Sequence, residues 1–344
     1  MLYTFRMDSY SCGMHRVVWP ADAIDPDGTR IKHIAPNETD GVVTARVVGS
    51  RVTGLTNVPT DMTAILLQRP TSISLGQCIP LLRREGIRVI VDVDDDLELL
   101  SARHPSWNML HNLPGHSHKV IRQACNHADV VVCSTPQIME RLAPRNGVVV
   151  RNRLPAHHFE QFQDEKYMAQ NPYTLEPHIA WPVAIGTHPD DGQEVCNSLV
   201  RLRYPVRVVG PHHPRGKSIL GVEPIFDGEV PFEDWMSRMM TIHTGIAPLN
   251  SSPFSEAKSA LKPLELSAAC TPFVRSRTPE FELLGAGLAA QGKNEWYHRL
   301  KNLMEDSALR QDEELRNYDI AQNNRYDSAE VIAEWEHAWF DAFA

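Results

Sequence analysis

A chain of 344 residues, 42% hydrophobic and 22% charged, is long enough for two α/β domains that each bury a core. Its net charge of −9 supplies no global field for DNA or an anionic membrane, and no window approaches ~20 uninterrupted apolar residues, as a bilayer-spanning helix requires. The six cysteines form no C-x-x-C pair, the sixteen histidines no helical H-E-x-x-H, and the N-terminus lacks the apolar core of a signal peptide, so a soluble cytoplasmic protein without bound metal is expected.

In chain order, Ala64 to Leu67, Val89 to Val93, Val130 to Cys133 and Val148 to Val150 are short apolar runs that read as buried strands. Between them, Leu75 to Glu85, His116 to His127 and Thr135 to Leu142 read as helices, the last with Pro136 in its first turn. Strand alternating with helix is the pattern of a doubly wound parallel sheet. Residues 155–177 are polar, carry Pro155, Pro172 and Pro177, and read as a linker. The pattern then restarts with a strand at Val183 to Ile185, a helix over Gln193 to Arg201, and strands at Val206 to Val209 and Gly245 to Pro248. A helix over Lys258 to Ala269 and a strand at Pro272 to Val274 follow. From Asp327 to Phe343, Val331, Trp335, Trp339 and Phe343 recur every four residues and make one apolar helix face, expected to pack back on the first domain. The expected division is 1–155, 156–326 and a C-terminal helix at 327–344.

Four segments carry chemistry. Val89 to Leu97 runs from an apolar strand into four aspartates among five positions, and side chains at the C-terminal end of a parallel strand face the ligand crevice. Like charges so close require a partner, and an acidic turn with Asp96 as helix cap fits the same residues. Trp181 to Asp191 ends a strand in Gly186-Thr187, leaving room for a phosphate or sugar against the backbone, with His188 and either Asp190 or Asp191 in the next loop. In Gly245 to Val274, Lys258 and Lys262 stand four apart, on one face if the helix is continuous, where two ammonium groups invite an anion such as a diphosphate. Glu265 follows three residues later, suited to ribose hydroxyls, and Pro263 can restart the helix. The alternative is an ordinary solvated, salt-bridged face. Ser11 to Pro20 is weaker: Gly13 would admit a ligand near the main chain and Arg16 would serve a phosphate or acceptor.

Together these segments resemble the GT-B glycosyltransferases related to the glycosyltransferase group 1 family, particularly short bacterial and phage members. The resemblance rests on Gly13-Met14-His15-Arg16, Gln68-Arg69-Pro70, Asp92 to Asp96, Ser134-Thr135-Pro136 and Val150-Arg151-Asn152. It continues in Gly186, Thr187, His188 and Asp191, and in Ala247-Pro248-Leu249, Phe254, Lys258-Ser259, Lys262 and Glu265. The chain departs from the pattern at Ala257, where the first of two glutamates is usual, and at Thr271, where a glycine is usual. The resemblance implies two Rossmann-like domains facing across a cleft, and a nucleotide-sugar donor as co-substrate with no other cofactor. Donor contacts fall to Gly186, His188, Lys258, Lys262 and Glu265, with Asp94, Asp95 and His104 on the acceptor side. The implied reaction is metal-independent and retaining, with a DNA base, protein, glycan or lipid carrier as acceptor. Two alternatives are a metal-dependent transferase using Asp92 to Asp96, and a non-catalytic glycosyltransferase-like binding or assembly protein.

Overall fold

The computed structural model describes residues 1–8, 11–34, 43–160 and 176–343. Residues 161–175 of the expected linker lie outside the described residues; at its near edge His157–Glu160 form one helical turn, with Phe159 fully buried. Two compact units emerge: Met1–Ala102 with Ser106–Asn152 and Tyr326–Ala344, and Arg103–Pro105 with Arg153–Arg325.

In the first unit the strands are β1 (Leu2–Phe5), β2 (Ile31–Ile34), the antiparallel pair β3 (Thr44–Val48) and β4 (Arg51–Asn57), β5 (Ala64–Gln68), β6 (Arg88–Val93), β7 (Val130–Cys133) and β8 (Gly147–Val149). Among the described residues six of them form one parallel sheet in the order β2-β1-β5-β6-β7-β8. Helices on both faces of a parallel sheet demand apolar residues at successive positions, and β5 and β7 are buried throughout. Val89, Ile90 and Val91 of β6 have no exposed surface, each contributing about 1.5–3 kcal/mol by burial. The expected helices appear as Ile73–Arg84, His118–His127 and Pro136–Leu142, the last begun by Thr135, whose side chain accepts from the Ile138 N–H at 3.3 Å.

The C-terminal segment belongs to this first unit. Ser328 caps a helix over Ala329–Glu336 that widens into a π-helical turn at His337–Asp341. Trp335 and Trp339 are buried with ring centroids 5.3 Å apart, and Val331 lies on the same buried face. The Tyr326 hydroxyl donates to the His15 carbonyl, so the chain's two ends are joined within the unit.

In the second unit β9 (Ile179–Pro182), β10 (Val206–Val209), β11 (Ile225–Phe226), β12 (Thr244–Ala247), β13 (Phe273–Ser276) and β14 (Leu288–Ala290) form a second parallel sheet, in the order β11-β10-β9-β12-β13-β14 among the described residues. Alternation along the strands fills two cores. Ala180, Val209, Ala247 and Phe273 belong to one, Ile179, Trp181, Val208, Ile246 and Val274 to the other.

Two expectations are corrected here. The strand expected at Val183 to Ile185 lies upstream at Ile179–Pro182, because pairing of Ile179 with Val206 and Trp181 with Val208 sets the register, and Ile185–Thr187 turn as a short 3-10 helix. The helix expected over Lys258 to Ala269 is interrupted: one turn spans Pro253–Glu256 and a new helix starts at Leu261–Ala268. Pro263 then falls in the first turn, where its missing N–H costs no intrahelical bond. Lys258 precedes that helix, so Lys258 and Lys262 do not share a helix face.

Candidate functional site

In each sheet the chain reverses its direction of strand addition at one point, and loops leaving the C-terminal strand ends there form the ligand crevice of open α/β sheets. In the second unit the reversal separates β9 from β12. The loops following these strands carry Gly186, His188 and Asp191 on one side and Asn250 to Lys258 on the other.

Asp191 ties the two loops together. One carboxylate oxygen accepts from His188 Nδ1 at 2.7 Å. The other accepts from Asn250 N at 2.9 Å, Asn250 Nδ2 at 2.8 Å and Ser255 Oγ at 3.3 Å. Burial works against the Asp191 charge, but the His188 bond and charge, the Asn250 N–H and Lys258 outweigh it and hold the acid below the usual carboxylate range. Because a carboxylate only accepts, His188 carries its proton on Nδ1 and presents Nε2 as an acceptor. Burial lowers the His188 imidazole below its ordinary value; Asp191 opposes this, and the charges of Lys258 and Lys262 add to it. The loop after β10 reaches the same place: a Cβ on Gly186 would stand 2.8 Å from the His213 ring, so glycine permits that close approach.

Lys262 Nζ donates to Glu265 Oε2 at 2.6 Å and lies 4.6 Å from the Trp235 ring centroid. Glu265 is buried, whereas the Lys262 side chain stays 29% exposed. Lys258 Nζ lies 4.6 Å from the Phe254 ring centroid. Both lysines act on His188 electrostatically, which places His188, Asp191, Lys258, Lys262 and Glu265 in one region of the second unit. A crest with two ammonium groups, an imidazole acceptor and a buried carboxylate can hold a polyanion at one end and hydroxyls at the other.

In the first unit the reversal lies between β1 and β5. Arg69, directly after β5, has φ of 42° and sets its guanidinium among acids: 2.6 Å from Asp94, 3.8 Å from Asp8 and 3.9 Å from Asp95. The four clustered aspartates each have an arginine. Asp92 pairs with Arg16 at 2.7 Å and Asp96 with Arg141 at 2.5 Å, while Arg69 serves Asp94 and Asp95. Asp96 also accepts from Glu98 N, capping the short turn at Leu97–Leu99. Among the described residues, no group of three or more His, Cys, Asp or Glu side chains is arranged to hold a metal ion.

Arg16 and Gly13 are corrected by their surroundings. Arg16 has no exposed surface; Nε and Nη2 donate to Asp92, and Nη1 donates to the Val150 carbonyl at 2.6 Å and to Asn152 at 3.0 Å. The guanidinium is 4.7 Å from the Trp335 ring centroid. It therefore locks the ends of β6 and β8 to the C-terminal helix instead of facing a phosphate. A Cβ on Gly13 would fall 2.0 Å from the Asp8 carbonyl oxygen, so this glycine serves its own turn. His104 falls within the second unit, whereas Asp94 and Asp95 belong to the first.

No protein-family model matches the sequence, and no curated protein matches it. Solved structures do. Sucrose-phosphate synthase from Thermosynechococcus elongatus superposes with a TM-score of 0.65 over 96% of this chain and 96% of that one, at 13% identity. The chain has the GT-B glycosyltransferase fold. Other structures of this GT-B fold include Anabaena HepE in complex with UDP, at TM-score 0.55 and 13% identity over 79% of this chain and 76% of that one. The UDP-forming α,α-trehalose-phosphate synthase from Burkholderia vietnamiensis matches at 0.52 and 12% identity over 81% and 74%.

Sequence reasoning left several of the crest's residues unassigned. Local spacing does not separate Asp190 from Asp191, whereas the resembled pattern takes Asp191; in the structure Asp191 makes the cross-loop bonds and Asp190 pairs with Arg103 at 2.5 Å. Asn250 and Ser255 are polar residues of a connecting loop, with no spacing that points to Asp191. Trp235 and His213 arrive from distant segments without any local signal.

Proposed function

We propose that the chain is a glycosyltransferase whose nucleoside-diphosphate-sugar donor binds at the crest of the second unit. The observation that carries this reading is the grouping of Lys258, Lys262 and His188 beside the buried Glu265, at the strand ends where the sheet order reverses. Lysine has three donors, so Lys262 can keep Glu265 with one and meet a phosphate with another. Glu265 accepts from the ribose hydroxyls, and the His213 ring packs close beside Gly186. HepE, which shares the fold, has been solved with UDP and with UDP-glucose, and this supports a uridine nucleotide as the first donor to test.

In the transfer, the bond from the sugar's anomeric carbon to the departing phosphate oxygen breaks and a bond to the acceptor oxygen or nitrogen forms. The acceptor's proton passes to the departing diphosphate. Charge develops on the leaving phosphate, and pre-positioned cations stabilise that charge more than the ground state. Lys258 and Lys262 supply it in this reading. The family resemblance favours metal-independent transfer with retention of anomeric configuration, and assigns acceptor contacts to Asp94, Asp95 and His104. Of the two acids, Asp95 has the more accessible side chain, 24% against 6%.

A binding-only reading is motivated by Ala257, 2% exposed, where a donor-contacting glutamate is usual in the resembled family. A thermal-shift screen of UDP-, GDP-, ADP- and TDP-sugars, followed by measurement of released nucleoside diphosphate, separates the readings. Stabilisation by one donor with slow release of its diphosphate is the expected result. Stabilisation without any release favours the binding protein, and no stabilisation by any donor overturns both.

A further inference from the structure

The donor crest contains one group that the charge pattern alone leaves without a task. His188 is fixed at one nitrogen and open to change at the other. Its Nδ1 donates to Asp191, whose second oxygen is held by Asn250 and Ser255, so the carboxylate cannot swing away when the ring's charge changes. The ring keeps 21% of its side-chain surface accessible and packs 6.0 Å from Trp181 of β9. The other groups around it are Lys258 and Lys262 from the segment after β12, with Glu265 bonded to Lys262, and His213 beside Gly186 from the loop after β10. On its own loop Asp190 is paired with Arg103. The imidazole thus has a fixed carboxylate behind it and two ammonium charges acting on it.

We propose that His188 takes up a proton at Nε2 as the donor's diphosphate binds, joining Lys258 and Lys262 as a third cation of the subsite. This rests on the donor-site reading above. Without ligand, burial and the two lysines disfavour the imidazolium, and the ring is held below its ordinary value of about 6.5. A diphosphate brings two negative charges, offsets the lysines and accepts a hydrogen bond from Nε2–H, while Asp191 already stabilises the positive ring from behind. A proton from the buffer forms the new N–H bond, and no other group changes covalency. The sign follows from linkage: binding raises the imidazole's affinity for protons, so donor affinity is greatest at low pH and falls as pH rises through the bound-state value. The two phosphates of a nucleotide sugar are both esterified and lack the secondary ionisation near 6 that a terminal phosphate carries, so the proton belongs to the protein.

The test is isothermal titration of the full chain with UDP-glucose, GDP-mannose, ADP-glucose and TDP-glucose at pH 7, in HEPES, cacodylate and Tris, repeated from pH 6.5 to 8. Differences between buffers give the protons taken up. The expected result for the donor that binds is uptake of about half to one proton, with affinity falling by up to about tenfold per pH unit. His188→Asn keeps a donor for Asp191 but does not titrate. It should bind with little uptake and a flat pH profile. Binding without proton uptake, or uptake unchanged in His188→Asn, overturns the proposal and leaves the donor site standing. If the variant does not fold, the uptake and pH profile of the unchanged protein still decide. Absence of binding by all four sugars overturns the donor-site reading, and the proposal with it.

Discussion

Replacing Asp191 by alanine removes the carboxylate that joins the loops after β9 and β12. Four donors lose their acceptor: His188 Nδ1, Asn250 N, Asn250 Nδ2 and Ser255 Oγ. Hydrogen bonds to a charged acceptor contribute about 1.5–3 kcal/mol each, but these four share one group and are not additive. Ser255 also retains Asn250 Oδ1 at 3.2 Å, and water can enter beside His188. A net loss of about 3–5 kcal/mol is therefore expected, the range for breaking a buried charge network. For a domain of about 150–250 residues this lowers the melting temperature by about 6–20 °C. Calorimetry gives the loss, and hydrogen exchange at the Asn250 amide locates it. Since Asp191 is held below its unfolded value, its contribution is present above about pH 4 and lost as pH falls through the folded value, so the two proteins should converge in acid. A loss below about 1 kcal/mol at pH 7, with Asn250 exchange unchanged, would refute the bracing role.

Burial, then Arg310 and His178, lowers His243 to about 4. Stability is intact above the unfolded value of about 6.5 and falls by about 2 kcal/mol at pH 5, and His243→Gln should flatten that acid limb in urea titrations. Arg16→Met leaves Asp92 buried without its cation and is expected to cost about 3–5 kcal/mol, measured by denaturant unfolding; a loss under about 1 kcal/mol would show that the pair holds nothing together. Trp339→Ala empties a fully buried site against Trp335 and should cost about 3–5 kcal/mol by the same assay.

The parts of the fold legible in the sequence are those where one local rule decides. Val130 to Cys133 is an apolar run buried throughout, and its bounds match the observed strand; those of Val206 to Val209 match as well, with Arg207 partly exposed among three buried valines. The four-residue spacing of Val331, Trp335 and Trp339 led to the C-terminal helix for the same reason. What escaped detection depends on partners. In β2, Lys32 and His33 are exposed and only pairing with β1 makes Ile31–Ile34 a strand. Helix Ser307–Gln322 has no strong apolar face because it buries Asn317, which accepts from Gly287 N at 2.8 Å, and Glu313, which pairs with Arg316 at 2.6 Å. Although the helix that would align the two lysines is interrupted between Glu256 and Leu261, in the crest Lys258, Lys262 and Glu265 stand out by charge. Asp191's role does not, since its partners Asn250 and Ser255 lie some sixty residues away, across a strand order that local patterns do not encode.

Equilibrium dialysis of labelled nucleotide sugars against the unchanged protein and Lys258→Ala/Lys262→Ala, with folding of both checked by melting, addresses the central claim most directly. The unchanged protein should retain one nucleotide sugar, and the double variant should bind it at least about a hundredfold more weakly, about 1.4 kcal/mol or more for each ammonium group. Equal retention by a folded double variant would contradict the assignment of this crest to an activated sugar.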